Sequence, residues 1–378
     1  MKIGLYGGLA NNCYVFANIL NKYGEKVLFI RDRNDAFAFS QPVWEDSSFV
    51  MNYEDIVKSS NFSTQDWKKI EIDQKWKTPI WYEDPLISKI KSPIVSRDLS
   101  YINFISHKYL NQSKYRSRVV SNMQNCDVLL VCGIEGSILA MLSSRPYIIW
   151  PHGGDIRMAA GLTKPPQGFR NRISFEVQKL LLNIAYDKAN YVGTHDPKGL
   201  GGTAGSVEKA LHKTHLIYLP IPIECKRRLS KRKRRSRLNE LCLKLNLPNI
   251  NADFIGIVPS RVDFEWKGHD LILNAIKNLN DKQKIHLVFS GWGNDYSQAK
   301  QMVDQYEIND FITFLPFSLS KPLLTEFFSL MDFSIDQFRF LGTYGTALVE
   351  ALSSGCPAIT WIEEEAYISM GWSPPPVM

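Results

Sequence analysis

Phe254-Ile255-Gly256-Ile257-Val258-Pro259-Ser260-Arg261-Val262-Asp263-Phe264-Glu265-Trp266-Lys267-Gly268 reads as a short apolar strand (254–258), a turn, and a loop carrying two cations six residues apart. A helix near 269–279 follows. Downstream the alternation repeats. Strands are expected at Ile285–Ser290, Phe311–Leu315, Phe333–Ile335 and Ala358–Trp361, and helices near 295–305, 321–330 and 344–354. Short apolar strands alternating with amphipathic helices imply a parallel, doubly wound sheet.

Upstream, the same alternation opens the chain. Lys2–Tyr6 is a strand, Gly7-Gly8 a turn, Asn12–Tyr23 a helix and Lys26–Ile30 a second strand. It resumes with strands at Asp127–Cys132, Pro146–Trp150, Tyr191–Gly193 and His215–Leu219, and a long helix over roughly 169–189. Residues 35–110, rich in aromatics, Pro and Ser, read as loops and short helices inserted into the first domain. The expected fold is α/β: two Rossmann-like doubly wound domains facing a cleft. Residues 1–222 form the N-terminal domain, 223–250 a basic linker with a helix from about Ser236 to Leu245, and 251–378 a C-terminal domain that ends early. With 378 residues, two cores are the default.

Composition is that of a globular protein, 44% hydrophobic and 22% charged. The most apolar stretch, 126–150, contains Asp127, Glu135 and Arg145 and reads as buried core rather than a membrane span. Met1-Lys2-Ile3-Gly4 runs straight into a strand, with no secretory signal expected. A cytoplasmic protein is expected. The six cysteines have no CxxC pair and read as reduced, buried thiols. His212 and His215 have no neighbouring Cys or carboxylate ligand, so no metal is expected.

The net charge of +7 is concentrated. Residues 226–237 hold nine cations and no carboxylate, and subtracting them leaves −2. This strap reads either as a solvated inter-domain loop or as a contact for anionic lipid at the inner face of a membrane. No aromatics interleave it, which argues against nucleic acid.

In an open α/β sheet, ligands bind beyond the carboxyl ends of the strands. Four features of the second half lie there. Arg261 and Lys267 suit a diphosphate, whose charge grows as a glycosidic bond to it breaks; surface charge on a loop is the alternative. Gly291-Trp292-Gly293 admits close backbone approach, or is a plain turn. Gly342-Thr343-Tyr344-Gly345-Thr346 leads into a helix whose free N–H groups and dipole suit phosphate, and Glu350, in that otherwise apolar helix, suits ribose hydroxyls. Gly355-Cys356-Pro357 reads as a helix stop.

These motifs, in this order, resemble the donor-binding domain of the retaining GT-B glycosyltransferases of the family 4 (group 1) type. Arg261, Lys267-Gly268, Gly291-Trp292-Gly293 and Glu350-Ala351-Leu352-Ser353-Ser354-Gly355-Cys356-Pro357 carry the resemblance over about residues 250–362. Over the first half, Gly7-Gly8 resembles the family's first glycine loop, and His152, after the strand 146–150, its active-site histidine near the reacting sugar. Asp155 reads as a sugar or acceptor contact, or as a helix cap.

The resemblance implies transfer of a sugar from a nucleotide diphosphate sugar to a hydroxyl acceptor, a polysaccharide or lipid-linked glycan, with retention and with no cofactor. Arg261 and Lys267 would hold the diphosphate and Glu350 the ribose. Gly345 and Thr346 would offer N–H groups, with Gly7, Gly8, Gly291, Gly293, Gly342, Thr343 and Tyr344 around the donor. Two departures stand against the pattern. The family's first glutamate, eight residues before Glu350, is replaced by Gly342, for which Asp336 is the substitute at hand, and the chain stops soon after the last strand. They favour the other reading, a non-catalytic nucleotide-sugar or glycan-binding protein of the same fold.

Overall fold

The structure, a computed structural model, describes the chain except residues 9–10, 33–39, 47, 60–61, 63, 86–108, 110–112, 152, 195–215, 220, 222, 226, 282–283 and 340–343. In chain order the elements are β1 (Lys2–Tyr6), α1 (Asn12–Lys22), β2 (Lys26–Ile30), β3 (Val50–Asn52), α2 (Tyr53–Ser59), α3 (Thr64–Asp73), β4 (Tyr82–Glu83) and α4 (Lys114–Gln124). They continue with β5 (Val128–Val131), α5 (Gly133–Ser143), β6 (Tyr147–Ile149), α6 (Gly154–Ala159), α7 (Phe169–Lys188), β7 (Tyr191–Thr194), β8 (Leu216–Tyr218) and α8 (Lys231–Lys244). The remainder are β9 (Phe254–Val258), α9 (Phe264–Lys267), α10 (His269–Asn278), β10 (Ile285–Ser290), α11 (Tyr296–Gln305), β11 (Ile312–Leu315), β12 (Phe317–Leu319), α12 (Lys321–Leu330), β13 (Phe333–Ile335), α13 (Thr346–Ser353), β14 (Ala358–Ile359) and α14 (Glu364–Ser369).

Two units result, one of residues 1–42 and 63–222, the other of 43–62 and 223–378. The first holds a seven-stranded parallel sheet in the order β4-β2-β1-β5-β6-β7-β8. Its strands are apolar on both faces, as a sheet covered on both sides requires. Leu5, Phe29 and Leu130 bury one way, Tyr6, Ile30 and Val131 the other. The order reverses between β1 and β5. Gly7 (φ +103°) sits at that reversal, and a Cβ there would lie 2.9 Å from the Cβ of Cys132. Five of the six cysteines are buried and all six are free thiols; Cys225 is exposed.

The second unit holds a five-stranded parallel sheet, β11-β10-β9-β13-β14, with the reversal between β9 and β13. Ile257 and Val288 face one cluster, Val258, Leu287 and Phe289 the other.

Two sequence expectations need correction. Residues 43–62 pack with the second unit, not the first. Trp44, Phe49 and Met51 are buried there, and β3 pairs antiparallel with β12, which would otherwise be an unpaired strand. Further on, Tyr82–Glu83 adds an edge strand to the first sheet.

The basic strap is the second correction. From Lys231 onward it is helix, not linker, and the helix starts before Ser236. Arg228 donates to the carbonyls of Gly355, Met331 (2.7 Å) and Asp332 (3.0 Å). Arg234, itself buried, donates to Asp332 Oδ1 at 2.6 Å, and Arg235 to Asp332 Oδ2. Leu238, Leu241 and Cys242 bury the other side of α8 against the core containing Phe327 and Phe328. Three of the nine cations are therefore fastenings of the fold. Among the described residues, no helix is long and apolar enough to cross a membrane.

Candidate functional site

In the second unit the sheet order reverses between β9 and β13, so their carboxyl ends diverge into one crevice, the place where such sheets bind ligands. The loop after β9 carries Arg261 and Asp263; the loop after β13 carries Asp336 and Gln337.

Asp263 caps α9, accepting the Trp266 N–H at 2.8 Å, and pairs with the half-exposed Arg261 at 3.5 Å. Behind it His269 is fully buried. The Asp263 N–H donates to its Nδ1 at 3.2 Å, and Ser260 Oγ lies 3.3 Å from its Nε2. Burial pushes its pKa below the ordinary value, so the ring is neutral and acts as a strut for the loop. Sequence reasoning missed His269, since it shows there only as a lone histidine at a helix start.

Lys267 ends α9. Its Nζ donates to Gln337 Oε1 at 2.6 Å, and its carbonyl accepts the Phe338 N–H at 3.0 Å. Asp336 is 1% exposed. Its Oδ2 accepts the N–H of Gly345, the residue capping α13, at 3.1 Å, while its Oδ1 has no hydrogen-bond partner among the described residues. A Cβ on Gly345 would stand 3.3 Å from Asp336 Oδ2 and 3.5 Å from Lys267 Nζ. Lys267, Asp336 and the start of α13 therefore meet at one point.

One turn into α13, Glu350 pairs with Lys321 at 3.8 Å. Burial pushes its pKa up, Lys321 opposes, and Glu45 and Asp336 add to the rise. A pair of this length contributes about 4 kcal/mol at an effective dielectric near 20. The net rise means desolvation and the two neighbouring carboxylates outweigh it. Glu45, on the segment that joined this unit, and Lys321 were not legible as neighbours of Glu350 in the sequence.

Gly291 and Gly293 are accounted for by protein rather than by open space. A Cβ on Gly293 (φ +131°) would lie 2.2 Å from the Val262 carbonyl oxygen, and one on Gly291 2.1 Å from that of Leu315. The Gly-Trp-Gly turn thus lies directly on the Arg261 loop, with Val262 N–H donating to the Trp292 carbonyl at 2.7 Å. Tyr344 is buried and stacks on Tyr367, 6.0 Å between centroids. Thr346 opens α13. Gly342 and Thr343 lie outside the described residues.

In the first unit, Gly7 and Gly8 lie buried at the sheet reversal. Asp155 is 3% exposed and accepts the Ile156 N–H at 2.9 Å, and its charge adds to the rise that burial imposes on the Tyr186 hydroxyl, so it is held within the fold. His152, and His212 and His215, lie outside the described residues.

Residues 246–362 match the family described as glycosyl transferases group 1. Among solved structures, the chain is similar to Anabaena HepE in complex with UDP-glucose, with TM-score 0.52 and 15% identity over 95% of this chain and 80% of that one. The complex of HepE with UDP and glucose gives 0.51, with the same identity and coverage. The apo lipopolysaccharide outer core galactosyltransferase WaaB gives 0.47 at 13% identity, over 96% and 82%. No curated protein matches the chain at a significant level. The fold is that of the GT-B proteins, two α/β units with parallel sheets, and within it residues 246–362 match the glycosyl transferases group 1 family.

Proposed function

We propose that the protein transfers a sugar from a nucleotide diphosphate sugar to a hydroxyl acceptor on a glycan or lipid-linked glycan, with retention of configuration. The convergence of Lys267, Asp336 and the α13 start at the β9–β13 reversal carries this reading. The Lys267 ammonium and the Gly345–Thr346 N–H groups would take the diphosphate, with Arg261, half-exposed and able to swing, closing on it. Glu350, half-buried on the same helix, would accept from ribose hydroxyls. As the bond to the anomeric carbon breaks, negative charge builds on the departing phosphate, where fixed cations stabilise it most. That phosphate would itself take the acceptor's proton. Asp336, with an oxygen left over at the meeting point, would contact the donor sugar in place of the carboxylate that Gly342 lacks. His152 would sit near that sugar, and no metal is required. Within residues 226–237, the exposed Arg227, Arg232, Lys233 and Arg237 would touch an anionic membrane surface.

Thermal-shift screening of UDP-, GDP- and ADP-sugars, followed by donor hydrolysis and product-anomer NMR, tests the reading. A stabilising donor, turned over with retention and bound at least tenfold more weakly by Lys267→Ala, is expected. No donor bound would end it. Binding without turnover in the presence of glycan acceptors would favour a non-catalytic binding protein.

A further inference from the structure

The first unit contains an open pocket of about 380 Å³, within the size range of small-ligand sites. It lies where β2 and β4 end side by side, with the Arg31 N–H donating to the Glu83 carbonyl at 3.0 Å. Its floor is a buried polar lattice. Arg31 pairs with Glu71 at 3.2 Å and donates to Gln41 Oε1 at 2.7 Å; Lys68 pairs with Asp84 at 2.8 Å. Its wall is aromatic. Trp76 is braced by the edge of Tyr82, centroids 5.4 Å apart at 73°, and by Tyr14 at 6.4 Å.

Burying Arg31 and Glu71, 6% and 8% exposed, is a poor way to stabilise a fold, because desolvation consumes most of the Coulomb gain. Burial pushes the Glu71 carboxyl up against the pull of Arg31 and pushes the Tyr82 hydroxyl well above its ordinary value, so the phenol keeps its proton. Beside the Arg31–Glu71 pair, the part-exposed Lys68 and the half-buried Glu83 put a donor and an acceptor into the lining itself. Its charges nearly cancel: Arg31 and Lys68 against Glu71, Asp84 and Glu83. A phosphate or sulfate would meet net repulsion. A neutral polyol, whose hydroxyls both donate and accept, would be satisfied on all sides, and its C–H face would lie on Trp76.

We propose that this pocket binds a neutral pyranosyl unit. Its role as the unit of the acceptor rests on the function proposed above; its chemistry as a pyranose site does not.

The test uses the full chain and ligand-observed saturation-transfer NMR with methyl pyranosides of glucose, galactose, mannose and N-acetylglucosamine. Inorganic phosphate serves as charged competitor. At least one pyranoside is expected to receive saturation and to bind at least tenfold more weakly to Trp76→Ala. Thr78→Trp, which fills the exposed rim without disturbing the lattice, is expected to abolish the signal in a protein of unchanged unfolding temperature. No transfer to any pyranoside, transfer that survives both substitutions, or displacement by phosphate would overturn the proposal. UDP-glucose binding read on the same samples keeps the two readings apart: its loss in the unaltered protein strikes the function, not this pocket.

Discussion

Tyr53 stacks on Trp292, ring planes 18° apart and centroids 6.1 Å apart, and its hydroxyl accepts the Gly291 N–H at 3.2 Å. Residues from the first quarter of the chain thereby cover the Gly-Trp-Gly turn that supports the Arg261 loop. The same contact explains why residues 43–62 leave the first unit. Burial pushes the Tyr53 hydroxyl well above its ordinary value, so it stays a neutral phenol at any working pH.

Tyr53→Phe removes only the acceptor and leaves the Gly291 N–H short of a partner, at a cost of about 1 kcal/mol. Tyr53→Ala also forfeits the stacked ring, for about 3 kcal/mol. Urea unfolding of the two variants checks the order; equal costs would mean that the hydroxyl, not the ring, holds the segment.

Glu350 gives a pH signature. Its pKa is raised in the folded chain, so the folded state binds more protons than the unfolded one between the ordinary carboxyl value and the raised one. Its contribution is therefore most favourable below the ordinary value, and stability is lost as pH rises through that window. Glu350→Gln, which mimics the protonated form, is expected to match the parent protein at pH 4 and to exceed it in stability at pH 8, while binding donor less well. Unfolding curves at both values measure this, and a difference independent of pH would contradict it.

Gly293→Ala should be costly on two counts. Its φ of +131° is strained for any side chain, and the new Cβ would strike the backbone of Val262, which cannot swing away. A loss of about 2 kcal/mol or more is expected, together with weaker donor binding as the Arg261 loop is pushed aside. Retained affinity in a folded Gly293→Ala protein would separate that loop from the donor.

The two sheets were legible in the sequence because their strands are short, apolar and regularly spaced, and every strand of the second sheet lies within a residue or two of its expected place. Lys267, Asp336 and Gly345 were legible as strand-end and helix-start residues. Their junction was not, because it depends on which strands become neighbours at the reversal. Residues 43–84 resisted for a different reason. Trp81 packs on Tyr14 and the strand after Phe49 pairs with β12, partners distant in sequence, so no local period marks this stretch. The strap misled because charge alone does not distinguish Arg234, buried on Asp332, from Arg232, exposed one helical face away.

That last contrast yields a paired prediction. Burial would raise the Asp332 carboxyl, but the Ile255 N–H and the guanidinium groups of Arg235 and Arg234 hold it below its ordinary range. It therefore contributes stability above the ordinary Asp value, lost as pH falls through its lowered one. Asp332→Asn leaves the buried Arg234 uncompensated and should cost about 3 kcal/mol. Replacing the exposed Arg227, Arg232, Lys233 and Arg237 by Gln should change stability by no more than about 0.5 kcal/mol. If these cations face an anionic membrane, at about 1 kcal/mol each, the fourfold variant loses on the order of a thousandfold in affinity for phosphatidylserine vesicles at low salt. Vesicle sedimentation at low and high salt decides the matter. Binding by the parent protein that is salt-insensitive, or absent, confines the strap to its role in fastening α8.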